Sequence, residues 1–200
     1  MLAYRESVLK KRLAYSTVSQ VSYILFGLSA MDMNSVTGGV LHVIAHGFIK
    51  AALFLCAGAI IYMTGKTRVE ELKGIGKEMP LLMWCYTIVS LGLIGIPPTG
   101  GFISKWYLAM GSLETGIPGF SWIGPVVLLV SALLTAGYLL PITIQGFFPG
   151  ADYDYKALKK KEPSALMTVP VLILTVLTVF MGLFPGQLIS WIQQAVTKLI

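Results

Sequence analysis

Five apolar stretches organise this chain, at 13–30, 38–64, 80–113, 123–148 and 164–185. A helix needs about 20 mostly apolar residues to cross the hydrocarbon core of a bilayer, and each stretch reaches or approaches that length. What remains is termini and short connecting loops, too short for a hydrated domain. Charged residues make up 12% of the 200, and hydrophobic residues 56%. Soluble domains carry about 25% charged residues. The pattern predicts an all-α integral membrane protein, a single transmembrane domain over 1–200 with about five crossings. Basic residues outnumber acidic ones, 15 to 9. No basic run interleaves with exposed aromatics, so the expected partner is the bilayer and not nucleic acid. The first twelve residues, MLAYRESVLKKR, are polar and basic, and no secretory signal is read in them. Cys56 and Cys85 lie inside apolar stretches without a CxxC spacing, which suits two small buried side chains.

The third stretch, 80–113, is too long for one plain helix and contains Ile96-Pro97-Pro98-Thr99-Gly100-Gly101. Proline lacks a backbone donor and clashes with the preceding turn, so the helix breaks there. The stretch is either a hairpin or one discontinuous helix. Loop charge separates these. Basic clusters occupy the N-terminus (Arg5, Lys10, Lys11, Arg12), the 65–79 loop (Lys66, Arg68, Lys73, Lys77) and the 149–163 loop (Lys156, Lys159, Lys160, Lys161). A single crossing puts all three on one side, as the positive-inside rule prefers. The expected topology in the cell membrane is therefore N-terminus cytoplasmic and C-terminus outside. Unwound backbone survives in a bilayer only where it is buried in protein or lines a wet cavity. On the break alone, a simple kink and a functional break weigh equally.

The acidic residues fall in loops or termini, whereas Lys50 and Lys105 lie inside expected spans, as do the two histidines, His42 and His46. An ionisable group at the bilayer centre costs about 2.5–3.5 kcal/mol on insertion scales, so the default reading is an ion or proton path. His42, His46 and Lys50 are spaced i, i+4, i+8 and form a slanted row climbing about 12 Å along one helix face. Histidine accepts and donates protons near neutral pH. Burial removes water from the charged form of a lysine, which lets such a group change charge within a working cycle. Val43 stands where zinc-binding H-E-x-x-H has its glutamate, and no third ligand is near, so neither a metal nor a cofactor is expected. Structural histidines with an outward-reaching lysine are the plain alternative. Lys105 follows the break in Gly101-Phe102-Ile103-Ser104-Lys105-Trp106. Spacing leaves it either against a polar cavity or anchored at the interface beside Trp106 and Tyr107. Ser16, Ser19, Gln20 and Tyr23 share one face of the first span, as candidate polar lining or as interhelical hydrogen-bonding groups. The tail 187–200 has Leu188, Ile189, Ile192, Val196 and Leu199 at helical spacing, as in an amphipathic helix at the interface or on a neighbour.

Three strings carry a resemblance: KRLAYSTVSQVSYILFG (11–27), HVIAHGFIKAALFLCAG (42–58) and GIPPTGGFISKWYL (95–108). In this order they resemble the antiporter-like membrane subunits of respiratory complex I, membrane-bound hydrogenases and Mrp-type cation/proton antiporters, over about residues 5–150. The resemblance implies a fourteen-helix fold with two inverted repeats, of which this chain matches the last five helices. The glutamate and lysine of the first half-channel would lie in the earlier half, so the chain is expected to be a piece or a half-subunit. Where many members carry an acidic residue before the basic run, this chain has Val8, with Glu6 nearby. By the same resemblance His42, His46 and Lys50 are the mid-membrane positions of the eleventh helix, and Lys105 the ionisable residue at the break of the twelfth. The implied activity is proton translocation, or coupled sodium/proton exchange, beside other membrane subunits of a multisubunit complex. Redox chemistry, as in an NADH–quinone oxidoreductase or a hydrogenase, would belong to those subunits. The competing expectations are a non-conducting structural subunit and a stand-alone Mrp-type antiporter component.

Overall fold

The computed structural model describes residues 2–117, 119–150, 153 and 161–198. Lys156, Lys159 and Lys160 of the third basic cluster, and Leu199 of the tail, lie outside them. The described residues form helices, connecting turns and one isolated β-bridge, between Val8 and Arg68. The helices are α1 (Leu2–Arg5), α2 (Leu9–Ser29), α3 (Met33–Thr64), α4 (Ile75–Glu78), α5 (Pro80–Ile94), α6 (Gly100–Glu114), α7 (Phe120–Phe147), α8 (Ala165–Leu183) and α9 (Gly186–Val196), with a 3-10 turn at Val69–Leu72.

The long central helix α3 is the axis of the bundle. Its 32 residues extend about 48 Å at 1.5 Å each. The Asp32 carboxylate accepts from the Asn34 and Ser35 amides at 2.9 and 3.2 Å and caps its start. Gly65, at φ 71°, ends it in the left-handed conformation that glycine adopts without strain. On one side α2 runs antiparallel to it, with Ser16 against Lys50 and Tyr23 against His42. Farther round α3, Cys56 meets Leu82 of α5, His42 meets Ser104 of α6, and Ser35 meets Gly111. Numbers fall along α3 as they rise through α5 and α6. The two short helices thus follow one another in the same direction, as halves of one discontinuous helix and not as a hairpin. Gly95, at φ 95°, closes α5 by donating to the Leu91 carbonyl at 3.0 Å. Gly101 then lets α6 start against the end of α5, since a Cβ there would stand 2.0 Å from the Gly92 carbonyl oxygen.

Among the described residues three helices are long and apolar enough to cross a membrane, α3, α7 and α8, and α5 is a shorter apolar helix. The expected first crossing is the 21-residue α2, whose apolar character is diluted by Lys10, Lys11 and Arg12 and by Ser16, Thr17, Ser19, Gln20 and Ser22. Where about five crossings were expected, one of them discontinuous, the described residues hold three apolar spans, the broken helix α5–α6 and the more polar α2. Cys56 and Cys85 are buried and unbridged in the main core with Leu53, Ile60, Leu82 and Tyr86.

One end of the bundle gathers the described members of all three basic clusters. The Leu9 amide donates to Thr67, Val69 to Ser7, and Lys161 to the Glu78 carbonyl. The Leu81 amide at the start of α5 donates to the Glu162 carboxylate at 2.6 Å, and Lys66 pairs with Glu78 at 3.9 Å. Glu71 accepts from the Arg68 and Thr67 amides, which hold its carboxyl below the usual range. The opposite end carries Asn34 donating to Glu114 at 2.6 Å. The amphipathic α9 packs Ile192 and Val196 on Val36 and Leu41 of α3.

Candidate functional site

The ionisable residues of the spans converge on the interior of the bundle. Lys50, His42 and Lys105 retain 7%, 2% and 8% of their surface, and His46 is half-buried. Such burial is costly for a lysine unless its ammonium is hydrogen-bonded. In Lys50 the ammonium donates to the Leu13 carbonyl at 2.8 Å and to Ser16 Oγ, both on α2. The Lys105 ammonium turns back across the break and donates to the carbonyls of Leu93 and Ile94, at 2.8 and 2.7 Å. These are last-turn carbonyls of α5, which lack intrahelical donors and carry the negative end of the helix dipole. The discontinuity thus makes the lysine site. The Lys105 ammonium is thus held inside the bundle at the carbonyl end of α5. Its Nζ also lies 5.1 Å from the centroid of the Tyr23 ring.

Between the lysines the histidines form a stack. The rings of His42 and His46 are 6.0 Å apart and 13° from parallel, and Tyr23 meets His42 edge-on at 5.3 Å. Ser104 Oγ donates to the Gly101 carbonyl at 3.0 Å, and its one proton is thereby committed. The 2.9 Å bond between His42 Nδ1 and Ser104 Oγ must then be donated by the histidine. Neutral His42 therefore presents a bare Nε2 as acceptor. That atom, Nε2 of His46 and both amide atoms of Gln20 are buried without a hydrogen-bond partner among the described residues, and the Tyr23 hydroxyl is buried beside Ser131. Gln20 lies on α2 between Ser16 and Tyr23, whose partners are Lys50 and His42, so it faces the level of His46. Buried polar groups are nearly always paired, and a run of unpaired ones along one seam marks a place for water or moving protons.

Lys50, His46, His42 and Lys105 therefore share one seam with Ser16, Gln20 and Tyr23. Ser19, half-buried, lines one cavity with Ser16, Ser131 and Tyr138 and a second with Tyr23 and Ser131. Ser104 went unread in the sequence. It is an ordinary serine beside a lysine, and only the docking of α6 on α3 brings it to His42. Tyr86 and Tyr138 also went unread. Their hydroxyls are buried beyond Lys50, toward the basic end, with Ser90 next to Tyr86 and Ser16 next to Tyr138.

Known proteins share this arrangement of helices. The chain is 38% identical over 97% of its length to NADH-quinone oxidoreductase subunit N of Desulforudis audaxviator, covering 40% of that protein. It is 32% identical over 99% of its length to Na(+)/H(+) antiporter subunit A1 of Staphylococcus haemolyticus, covering 27% of it. In the solved Mrp complex from Dietzia sp., one chain superimposes with a TM-score of 0.83 at 25% identity, over 97% of this chain and 43% of that one. The chain thus spans well under half the length of these relatives. The sequence model of a family described as NADH:quinone oxidoreductase/Mrp antiporter, TM, matches residues 1–135. With that match and the shared fold, the chain belongs to the NADH:quinone oxidoreductase/Mrp antiporter transmembrane family.

Proposed function

We propose that the seam from Lys50 to Lys105 is a proton path, and that this chain carries it as part of an antiporter-like subunit in a multisubunit membrane complex. The observation that carries the proposal is the pair of lysines buried in apolar spans and joined by stacked imidazoles. Structural roles do not account for four ionisable groups in one line with unpaired nitrogen atoms facing the gaps. Each imidazole passes a proton by accepting one at its bare nitrogen and releasing one from the other, so it returns to neutral after a ring rearrangement. The lysines act as the charged stations. A charge change in a neighbouring subunit shifts the balance between their ammonium and amine forms, and protons step between them through His46, His42 and ordered water.

In this reading the chain supplies the last five helices of a fourteen-helix fold, with α5 and α6 as the broken twelfth. Its N-terminus and the basic end face the cytoplasm and its C-terminus faces outside. Any redox step belongs to partner subunits. Protons are the primary ion, and sodium the coupled one if the complex works as an Mrp-type antiporter.

The test is a Lys105→Ala variant of the whole complex in proteoliposomes. Proton pumping should be lost while subunit content and assembly remain as in the parent. Pumping equal to the parent would sink the proposal and favour a structural subunit. Repeating the assay with and without sodium assigns the coupling ion.

A further inference from the structure

The face of α2 that lines the seam does not stop at Ser16. One turn farther toward the basic end stands Arg12, so that Arg12, Ser16, Gln20 and Tyr23 fall at i, i+4, i+8 and i+11. Arg12 is half-buried, whereas the adjacent Lys10 and Lys11 are exposed. Its guanidinium is held by backbone alone. Nε donates to the Glu6 carbonyl at 2.8 Å, Nη1 to the Tyr138 carbonyl of α7 at 3.2 Å, and Nη2 reaches the Tyr4 carbonyl of α1 at 3.5 Å. The Glu6 carboxylate accepts from the Val8 amide at 3.0 Å. Among the described residues no ion pair neutralises Arg12. Arginine also keeps its charge at any pH a cell reaches.

The interior between Arg12 and Lys50 is polar. Lys50 donates to the carbonyl of Leu13, the residue next to Arg12, and to Ser16. The buried hydroxyl of Tyr138 lies beside Thr135 and Ser16, and that of Tyr86 lies beside Ser90 and within range of the Arg12 charge. A cavity of about 440 Å³ between α1, α2 and α7 reaches Ser16, Thr135 and Tyr138 past Leu2, Tyr4 and Leu134. Two of the residues whose carbonyls hold Arg12, Tyr4 and Tyr138, thus border it. Hydroxyls and a space large enough for water therefore lead from the basic end toward Lys50. A proton path open at both ends short-circuits the gradient it serves. A fixed positive charge raises the energy of an excess proton beside it, which is how arginine keeps protons and cations out of narrow pores.

We infer that Arg12 is an electrostatic barrier that stops protons at the basic end from reaching Lys50 directly. Its charge does this, and the clamping of α1 and α7 serves to hold the charge in place. The inference rests on the proton path proposed above.

The experiment imposes a pH gradient on proteoliposomes of the whole complex, without its driving substrate, and follows the decay with a pH-sensitive dye. Arg12→Gln should collapse the gradient roughly tenfold faster than the parent, as loss of one nearby charge in a protein interior implies. Adding Lys50→Met to the same chain should restore the parent's rate. Arg12→Lys keeps the charge without the fork and should hold the gradient at neutral pH. Its leak should grow toward about pH 10, where lysine sheds its proton and arginine does not, while the parent's stays level. A clamp without a barrier gives no such pH profile. An assembled Arg12→Gln complex as tight as the parent, a leak that survives Lys50→Met, or Arg12→Lys leaking like Arg12→Gln at neutral pH would each overturn the inference. Where Arg12→Gln does not assemble, the pH profile of Arg12→Lys decides, and a level profile overturns it. Lys105→Ala separates the two ideas. Pumping lost in that variant beside a tight Arg12→Gln complex leaves the path standing and removes the barrier, whereas parental pumping in it removes both.

Discussion

At the residue scale, the side chains that matter most are those whose polar atoms have nothing to bond. Gln20 is fully buried and neither its amide oxygen nor its nitrogen finds a partner among the described residues. Its position on α2, between the partners of Lys50 and of His42, makes it the natural holder of water beside His46. A Gln20→Leu change keeps the volume and removes the polar atoms. Proton translocation should then slow by roughly tenfold or more, the rate equivalent of one lost hydrogen bond in the path, with assembly intact. An unchanged rate, measured beside a Lys105→Ala control that loses pumping, would remove Gln20 from the path without touching the proposal for the lysines. Ser104 acts differently, since its bond fixes which imidazole nitrogen of His42 carries the proton. The i, i+4, i+8 spacing of His42, His46 and Lys50 was legible in the sequence because all three ride one helix. Ser104 was not, because its role exists only across the α3–α6 contact.

At the element scale, the discontinuous helix is the feature on which the site depends. Four residues on from Leu93 and Ile94 stand Pro97 and Pro98, which have no N–H to give, so these two carbonyls are left open at the break and accept from the Lys105 ammonium in an otherwise apolar setting. The break holds because Gly95 turns the chain and Gly101 admits α6 against the Gly92 carbonyl. A Gly101→Ala change puts a methyl group where only 2.0 Å separates it from that oxygen. The two half-helices must then part, at a cost of about 1–3 kcal/mol. A lower thermal midpoint and a lower yield of assembled protein are expected, and an unchanged midpoint would mean that the break is looser than described. Sequence reading found this element from its prolines. It did not find that α2 would be polar enough to fall outside the apolar class, because it weighed length over the run of hydroxyl, amide and basic side chains.

For the whole molecule, the described basic residues gather at one end, tied together by the Val8–Arg68 bridge, the Leu9–Thr67 bond and the Glu78–Lys161 bond. The proposed topology puts this end inside, in keeping with the positive-inside rule. With single cysteines in intact cells, a membrane-impermeant maleimide should label Ile117→Cys directly and Lys73→Cys only after permeabilisation. The reverse order would invert the proposed topology. The sequence by itself determined what depends on composition and on one helix at a time: a membrane protein, the break at Pro97-Pro98, the row of His42, His46 and Lys50, and the motifs of its family. These follow from transfer free energies and from helical periodicity, which are local. Only the tertiary structure decided which carbonyls receive the two ammonium groups, that Ser104 orients His42, and that Ser19 lines the cavities between α2 and α7 that Ser16 and Tyr23 also line. Those depend on which faces of separate helices meet, and hydropathy and spacing along the chain carry no record of that.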